Sequence, residues 1–235
     1  MVFRLKVGSG GWFSDTDRQQ CTKILPTLYV AHMFFVFDGL DGSGKSTQVD
    51  RLCTYLKTHG EVVTCKDPGS TALGEALRSI LLEKGQTPID MRSEMMLFTT
   101  ARTQLVQEII KPAIKRGAFV VLDRFVMSTV VYQGHAGKLD PEDIRTVNRF
   151  ATDGVKPDQT FVFDVPVATA MERIGTARDR MESRGEDYFS AVRQGFLTEA
   201  ADDPTVTLID GTAEIQTIEA NIRDIVDGLL KQQTP

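Results

Sequence analysis

No apolar run in this chain approaches the roughly 20 residues that a membrane-spanning helix needs, which excludes an ordinary helical span. Cysteine is scarce: Cys21, Cys53 and Cys65 show neither paired nor metal-type spacing, so a disulfide framework and a zinc site are excluded. Reduced thiols in a cytosolic protein are the better reading. There is no excess of positive charge. The net charge of −5 argues against non-specific binding to nucleic acid or to an anionic membrane. Internal repeats and low-complexity tracts are absent, and no N-K-x-D guanine motif is present. Residues 1–32 lack the basic start, long apolar core and small-residue cleavage site of a signal peptide, and Asp15 and Asp17 count against a mitochondrial transit peptide. That segment is glycine- and polar-rich around Gly8 to Gln20 and differs from the rest of the chain. The expectation is that the folded core starts at Met33 and that residues 1–32 are disordered or lie upstream of the true start. Protease protection of that segment, in a native protein whose mass begins at Met1, would contradict it.

What remains is a chain of 235 residues with 41% hydrophobic and 25% charged residues, ordinary for one large α/β domain. Its most informative stretch is Gly39-Leu40-Asp41-Gly42-Ser43-Gly44-Lys45-Ser46-Thr47, which matches the phosphate-binding pattern G-x-x-x-x-G-K-[ST]. The context fits as well. An apolar run, Phe34 to Phe37, reads as a buried strand before it. After it, Val49, Leu52, Cys53 and Leu56 recur at helical spacing. Glycines let the backbone turn several N–H groups toward one oxyanion, and the helix N-terminus adds partial positive charge. The loop residues Gly39, Asp41, Gly42, Ser43, Gly44, Lys45, Ser46 and Thr47 are therefore assigned to ATP. Lys45 would reach the β/γ-phosphates and the Ser46 hydroxyl would hold Mg²⁺.

Further strands are expected at Val62 to Cys65, Phe119 to Asp123, Phe161 to Asp164 and Val206 to Asp210. Helices are expected around Leu73 to Leu81, from Ser93 to Lys115 with Pro112 bending it or opening a new turn, and from Ile215 to about Lys231. Another runs from Pro141 to Ala151, with Asp140 as its cap. Nearly all-apolar strands alternating with helices predict a phosphate-loop, three-layer α/β/α fold with a five-stranded parallel sheet covered on both faces. Ligands in such sheets sit beyond the carboxyl ends of the strands, where Asp38, Asp123 and Asp164 lie. Asp123 is the expected Mg²⁺ carboxylate, and Arg124 follows into the same cleft.

Asp123-Arg124-Phe125, Ser128-Thr129 and Tyr132-Gln133-Gly134 resemble the D-R-[YHF]…S-T-x-x-Y-Q-G stretch of thymidylate kinases. Leu97-Phe98-Thr99-Thr100-Ala101-Arg102 is similar to that family's L-F-x-A-x-R segment, and Lys66-Asp67-Pro68-Gly69-Ser70-Thr71 with Leu77-Arg78-Ser79 to its R-E-P-G-G-T…L-R-S. The matches run in family order from about Met33 to the C-terminus. The resemblance implies a single kinase domain over residues 33–235, a homodimer, ATP and dTMP as substrates, and no nucleic-acid or membrane partner.

It also implies roles. Phe98 and Arg102 lie four apart on one helix face, a ring to stack on the base and a guanidinium to bond its carbonyl oxygen. Thr129 matches a position at the pyrimidine edge. Tyr132 matches one that packs on the sugar and disfavours a 2′-hydroxyl, and Gln133 is placed with the acceptor. Asp41 matches an acid that bonds the acceptor's 3′-hydroxyl. Arg124, Arg78 and Lys66 fall at acceptor-phosphate positions, although the family usually carries arginine where Lys66 stands. The segment 173–187, with Arg173, Arg178, Arg180 and Arg184, fits a lid over ATP. Some relatives carry an arginine in the phosphate loop where this chain has Gly42, so the catalytic arginine is expected from the lid, Arg180 first and Arg178 second. The acceptor phosphate is largely dianionic at neutral pH, so no general base is needed, and the three histidines (His32, His59, His135) are no obstacle. The alternatives are a deoxynucleoside kinase and a non-catalytic nucleotide-binding protein.

Overall fold

A computed structural model of the chain describes residues 33–84, 88–175, 179–201 and 203–233. The expectations for residues 1–32 and for Arg178 lie outside them. Five strands carry the fold: β1 (Phe34–Gly39), β2 (Val62–Lys66), β3 (Phe119–Asp123), β4 (Gln159–Asp164) and β5 (Val206–Asp210). They form one parallel sheet in the order β2-β3-β1-β4-β5. Parallel neighbours require crossovers, and helices supply them: α1 (Lys45–Leu56), α2 (Ala72–Leu82), α3 (Met91–Leu105), α4 (Lys111–Lys115), α5 (Val126–Thr129), α6 (Pro141–Ala151), α7 (Val167–Ile174), α8 (Glu186–Ala201) and α9 (Ile215–Gln233).

Alternation along the central strands decides which layer each side chain joins. Phe35, Phe37, Phe119, Val121, Phe161 and Phe163 pack under α1 and α9, with Val49, Leu52, Ile218 and Ile222. Phe34, Val36, Val120 and Leu122 point the other way, onto Leu105, Val106 and Ile110. Each buried phenylalanine contributes on the order of 1.5–3 kcal/mol, and these rows fix the strand register.

Local signals set the helix ends. Asp90 and Asp140 accept from the backbone N–H groups of Arg92 and Glu142, and Thr71 accepts from Gly74. These are ordinary N-caps. The expected long helix from Ser93 to Lys115 starts slightly earlier, at Met91, and a π-helical turn at Val106–Ile110 joins α3 to α4. Pro112 sits in the first turn of α4, where a missing N–H is tolerated. A second π-helical turn, Val130–His135, extends α5. This α5 region, α7 and α8 were not among the elements read from the sequence.

Candidate active site

The register places β1, β3 and β4 so that their carboxyl ends open on one side: Phe37 pairs with Asp123, and Gly39 with Phe163. The phosphate loop leaves β1 there and wraps into the N-terminus of α1. Gly42 has φ +76°, and a Cβ on it would stand 2.5 Å from the carbonyl oxygen of Ala170 in α7. The loop therefore has no room for an arginine at this position. The cleft beneath it is lined by Asp41, Gly42, Gly44, Lys45, Ser46, Thr47 and Asp123. Gly39 and Ser43 complete the loop, with Ser43 buried. Lys45 is buried and folds back, its Nζ 2.7 Å from the Leu40 carbonyl oxygen and 3.3 Å from that of Gly39. Burial, with Arg124 nearby, lowers its pKa.

Beside this cleft lies a second one, open to solvent. Its walls include Asp41, Arg78, Phe98, Arg102, Arg124, Thr129, Tyr132 and Gln133, all expected in the acceptor site. Asp41 lines both clefts. Arg124, at φ +67°, lines the second cleft. Its guanidinium donates to Asp41 at 2.5 Å, to the Gly39 carbonyl at 2.8 Å and to Ser128 Oγ at 3.1 Å, and it stands over the Tyr132 ring at 5.3 Å. Burial disfavours its charge, but Asp41, Tyr132 and Asp38 hold its pKa well above the usual value. Burial likewise works against Asp41, and Arg124 and Lys45 overcome it, leaving that carboxyl below its usual range. The Tyr132 hydroxyl is buried and has no hydrogen-bond partner among the described residues.

Arg102 is 1% exposed. Nε donates to Asp67 at 2.5 Å, one terminal nitrogen to Asn148 at 2.5 Å and the other to Thr129 at 2.8 Å. Five N–H donors serve three bonds, so two remain. Phe98, half-buried one helical turn away, lines the same cleft. Arg78 is also half-buried and donates to the Pro68 carbonyl.

Other expected residues lie elsewhere. Lys66 is exposed, pairs with Glu75 at 3.3 Å and is not among the residues lining either cleft. Arg180 is not among them either: its Nε donates to the Leu81 carbonyl at 2.6 Å and a terminal nitrogen pairs with Glu94 at 2.6 Å. Arg173 does touch the phosphate loop, donating to the Gly42 carbonyl at 3.3 Å and the Gly211 carbonyl at 3.0 Å.

Sequence reasoning assigned no role to several carboxylates that organise the site. Asp38 is fully buried and accepts from the Ser128 hydroxyl at 2.5 Å, the Ser128 N–H at 3.1 Å and Arg124 at 3.3 Å. Burial raises its pKa. Its place at a strand end beside a phosphate loop was the available signal. Glu94 carried none, since an acid in the first turn of a helix ordinarily faces solvent.

A phosphate loop on a parallel sheet, with a second cleft that shares Asp41 with the first and is lined by a ring and several arginines, defines a phosphotransferase of the nucleotide-kinase class. Comparison with known proteins narrows this. The thymidylate kinase family model matches residues 37–222. Thymidylate kinase of Thermosipho africanus is 44% identical over 197 residues, 83% of this chain and 98% of that protein. That of Bifidobacterium longum is 41% identical over 202 residues, 84% and 98% of the two chains. The crystal structure of thymidylate kinase from Ehrlichia chaffeensis superposes with a TM-score of 0.69 at 30% identity, covering 83% of this chain and 99% of the other. The chain belongs to the thymidylate kinase family.

Proposed function

We propose that this chain transfers the γ-phosphoryl group of ATP to dTMP, giving dTDP. The observation that carries the reading is the shared wall. Asp41 lines both clefts and Arg124 is bonded to it, so donor and acceptor phosphates would meet at one half-buried guanidinium.

An oxygen of the acceptor phosphate attacks the γ-phosphorus, the bond to the β–γ bridging oxygen breaks, and ADP leaves with that electron pair. The dianionic acceptor needs no proton removed. Lys45 would exchange the loop carbonyls it now holds for phosphate oxygens, and Arg124 would neutralise the approaching anions. Arg102 and Phe98 would hold the base, Thr129 its edge, and Tyr132 the sugar. One terminal nitrogen of Arg102 already donates to Thr129, so the two residues would act together on the base. A residue of the segment 173–187, Arg180 in this reading, would supply charge to the moving phosphoryl group, and cover by that segment would exclude water.

Ser46 and Asp123 fit a Mg²⁺ ion. Both line the phosphate cleft, both offer hard oxygen ligands, and Asp123 Oδ1 is buried without a hydrogen-bond partner. When bound there, that ion would supply positive charge to offset the negative charge of the ATP phosphates.

The reading includes a homodimer. Leu73 and Ile80 on α2, Met96 on α3 and Phe150 on α6 are exposed apolar side chains on helices that pack in series, α2 on α3 and α3 on α6. A cytoplasmic location accords with Cys53 and Cys65, which are free thiols, and no described helix is long and apolar enough to cross a membrane. The net charge of −5 supports small-molecule substrates without a nucleic-acid partner.

The test is ADP release with dTMP, thymidine, AMP, CMP or no acceptor. dTMP should be the preferred acceptor, and Lys45→Ala should abolish turnover. Equal use of dTMP, AMP and CMP would overturn the base assignment, and preference for thymidine would favour a deoxynucleoside kinase.

A further inference from the structure

Glu94 is a fully buried carboxylate on α3 that faces two arginines and an amide. Arg180 and Arg184 each place a terminal nitrogen 2.6 Å from its Oε2, and Gln133 Nε2 donates to its Oε1 at 2.8 Å. A buried carboxylate must be compensated, but one guanidinium with a good hydrogen bond is enough. Here there are two, and they are held differently. Arg184 is fixed by a 2.7 Å bond to the Tyr188 hydroxyl and by the Tyr188 ring 4.8 Å beneath it. Arg180 has, besides Glu94, the Leu81 carbonyl and a weak contact to the Met181 sulfur. One of the two can therefore leave without stranding the charge, and Arg180, which lacks the aromatic anchor of Arg184, is the freer to do so.

Two further placements matter. Asp179 and Met181, the neighbours of Arg180 in sequence, both line the acceptor cleft, so the backbone of Arg180 is at its mouth while its side chain turns away. Gln133 lines the same cleft and touches Glu94. Because a carboxylate only accepts, it also fixes which end of the Gln133 amide faces it.

We infer that Glu94 is a positioning residue that holds Arg180 off the nucleotide until the acceptor is bound, coupling phosphoryl transfer to acceptor occupancy. ATP alone competes with Glu94 for the guanidinium. ATP and a dianionic acceptor together supply enough negative charge to draw it into the cleft, and Arg184 and Gln133 then keep Glu94 satisfied. Without the acceptor, a freed Arg180 would instead promote attack of a water oxygen on the γ-phosphorus. That breaks the bond to the β–γ bridging oxygen and yields ADP, inorganic phosphate and a proton released to solvent. Glu94 suppresses this loss. The inference rests on the role proposed above for Arg180.

The test uses the full chain with ATP and Mg²⁺, with and without dTMP, reading ADP and inorganic phosphate. Glu94→Gln removes the competing charge and keeps an acceptor for the arginines. Its ratio of acceptor-independent to dTMP-dependent ADP release should rise severalfold over the unmodified protein. A parallel fall in both rates, as for a purely structural residue, or an unchanged ratio would overturn the inference. Should that variant fail to fold, Glu94→Asp keeps the buried charge but retracts it by one methylene, and its ratio should rise by a smaller factor. A ratio at or below that of the unmodified protein would overturn the inference. Arg180→Met separates the two claims. It should lose transfer to dTMP, and in the Glu94→Gln background it should also abolish the excess hydrolysis. Full transfer by Arg180→Met would overturn both, whereas its loss together with unchanged coupling in Glu94→Gln would overturn the inference alone.

Discussion

Arg102 holds a buried ion pair and also lines the cleft proposed for the acceptor. Its side chain is 1% exposed, and its partner Asp67 is 0% exposed. Burial raises the pKa of Asp67 against the opposing pull of Arg102. Arg102→Met would leave that carboxyl buried without its cation. Breaking a buried pair by removing one partner costs about 3–5 kcal/mol, so denaturant unfolding should show a loss of that size alongside weakened use of dTMP. Phe98→Ala should behave differently. Phe98 is half-buried and faces the cleft, so the KM for dTMP should rise with little change in the unfolding midpoint. A large loss of stability in Phe98→Ala, or none in Arg102→Met, would contradict this division. The four-residue spacing of the two was legible in the sequence. The partners of Arg102 were not, because Asp67 and Asn148 lie 35 and 46 positions away and meet it only through packing.

At the scale of elements, the phosphate loop is sensitive to what packs above it. Gly42 combines a positive φ with a 2.5 Å approach to the Ala170 carbonyl, so any side chain there is strained and must also push α7 away. Gly42→Ala should lower the melting temperature and reduce ATP affinity, measured by thermal scan and by KM for ATP. Gly42→Arg, which would imitate relatives with a loop arginine, should be worse on both counts. Activity unchanged by Gly42→Arg would show that α7 yields. The sequence identified the absent loop arginine, but it could not show that α7 forbids one. The strands were readable as apolar runs and the helices as apolar residues at helical spacing, because both signals are local. The π-helical turns and α8 were not, since α8 mixes apolar and polar residues without a clean stripe and is stabilised by its contacts with the π-helical turn, α7 and the sheet.

For the whole molecule, burial shapes the response to alkali. Burial pushes the Cys65 thiol up to about 12, and burial pushes Tyr188 to about 12. In the unfolded chain a cysteine loses its proton near pH 8.5 and a tyrosine near pH 10. Between those values and about 12 the native state binds more protons than the unfolded state. Stability is therefore fully present below the unfolded pKa values and falls as pH rises toward 12. Denaturant midpoints should decline above about pH 9, and Cys65→Ala should flatten the first part of that decline. A flat profile in the unmodified protein would contradict it. At the same scale, light scattering should give twice the chain mass of 26.0 kDa. A monomer at working concentration would remove the homodimer from the reading.

From the residue pattern alone come the phosphate loop with its flanking strand and helix, the five strands, and the helices marked by local repeats or caps. Those features rest on short-range periodicity and on motifs whose backbone geometry their own residues impose. Only the tertiary structure decided that Asp41 belongs to two clefts at once, that Arg102 and Asp67 form a buried pair, that Lys66 lies away from both clefts, and that Arg180 rests on Glu94. The reason is physical. Each of these depends on which distant side chains burial brings within hydrogen-bonding reach, and a carboxylate at the start of a helix looks solvated until something covers it.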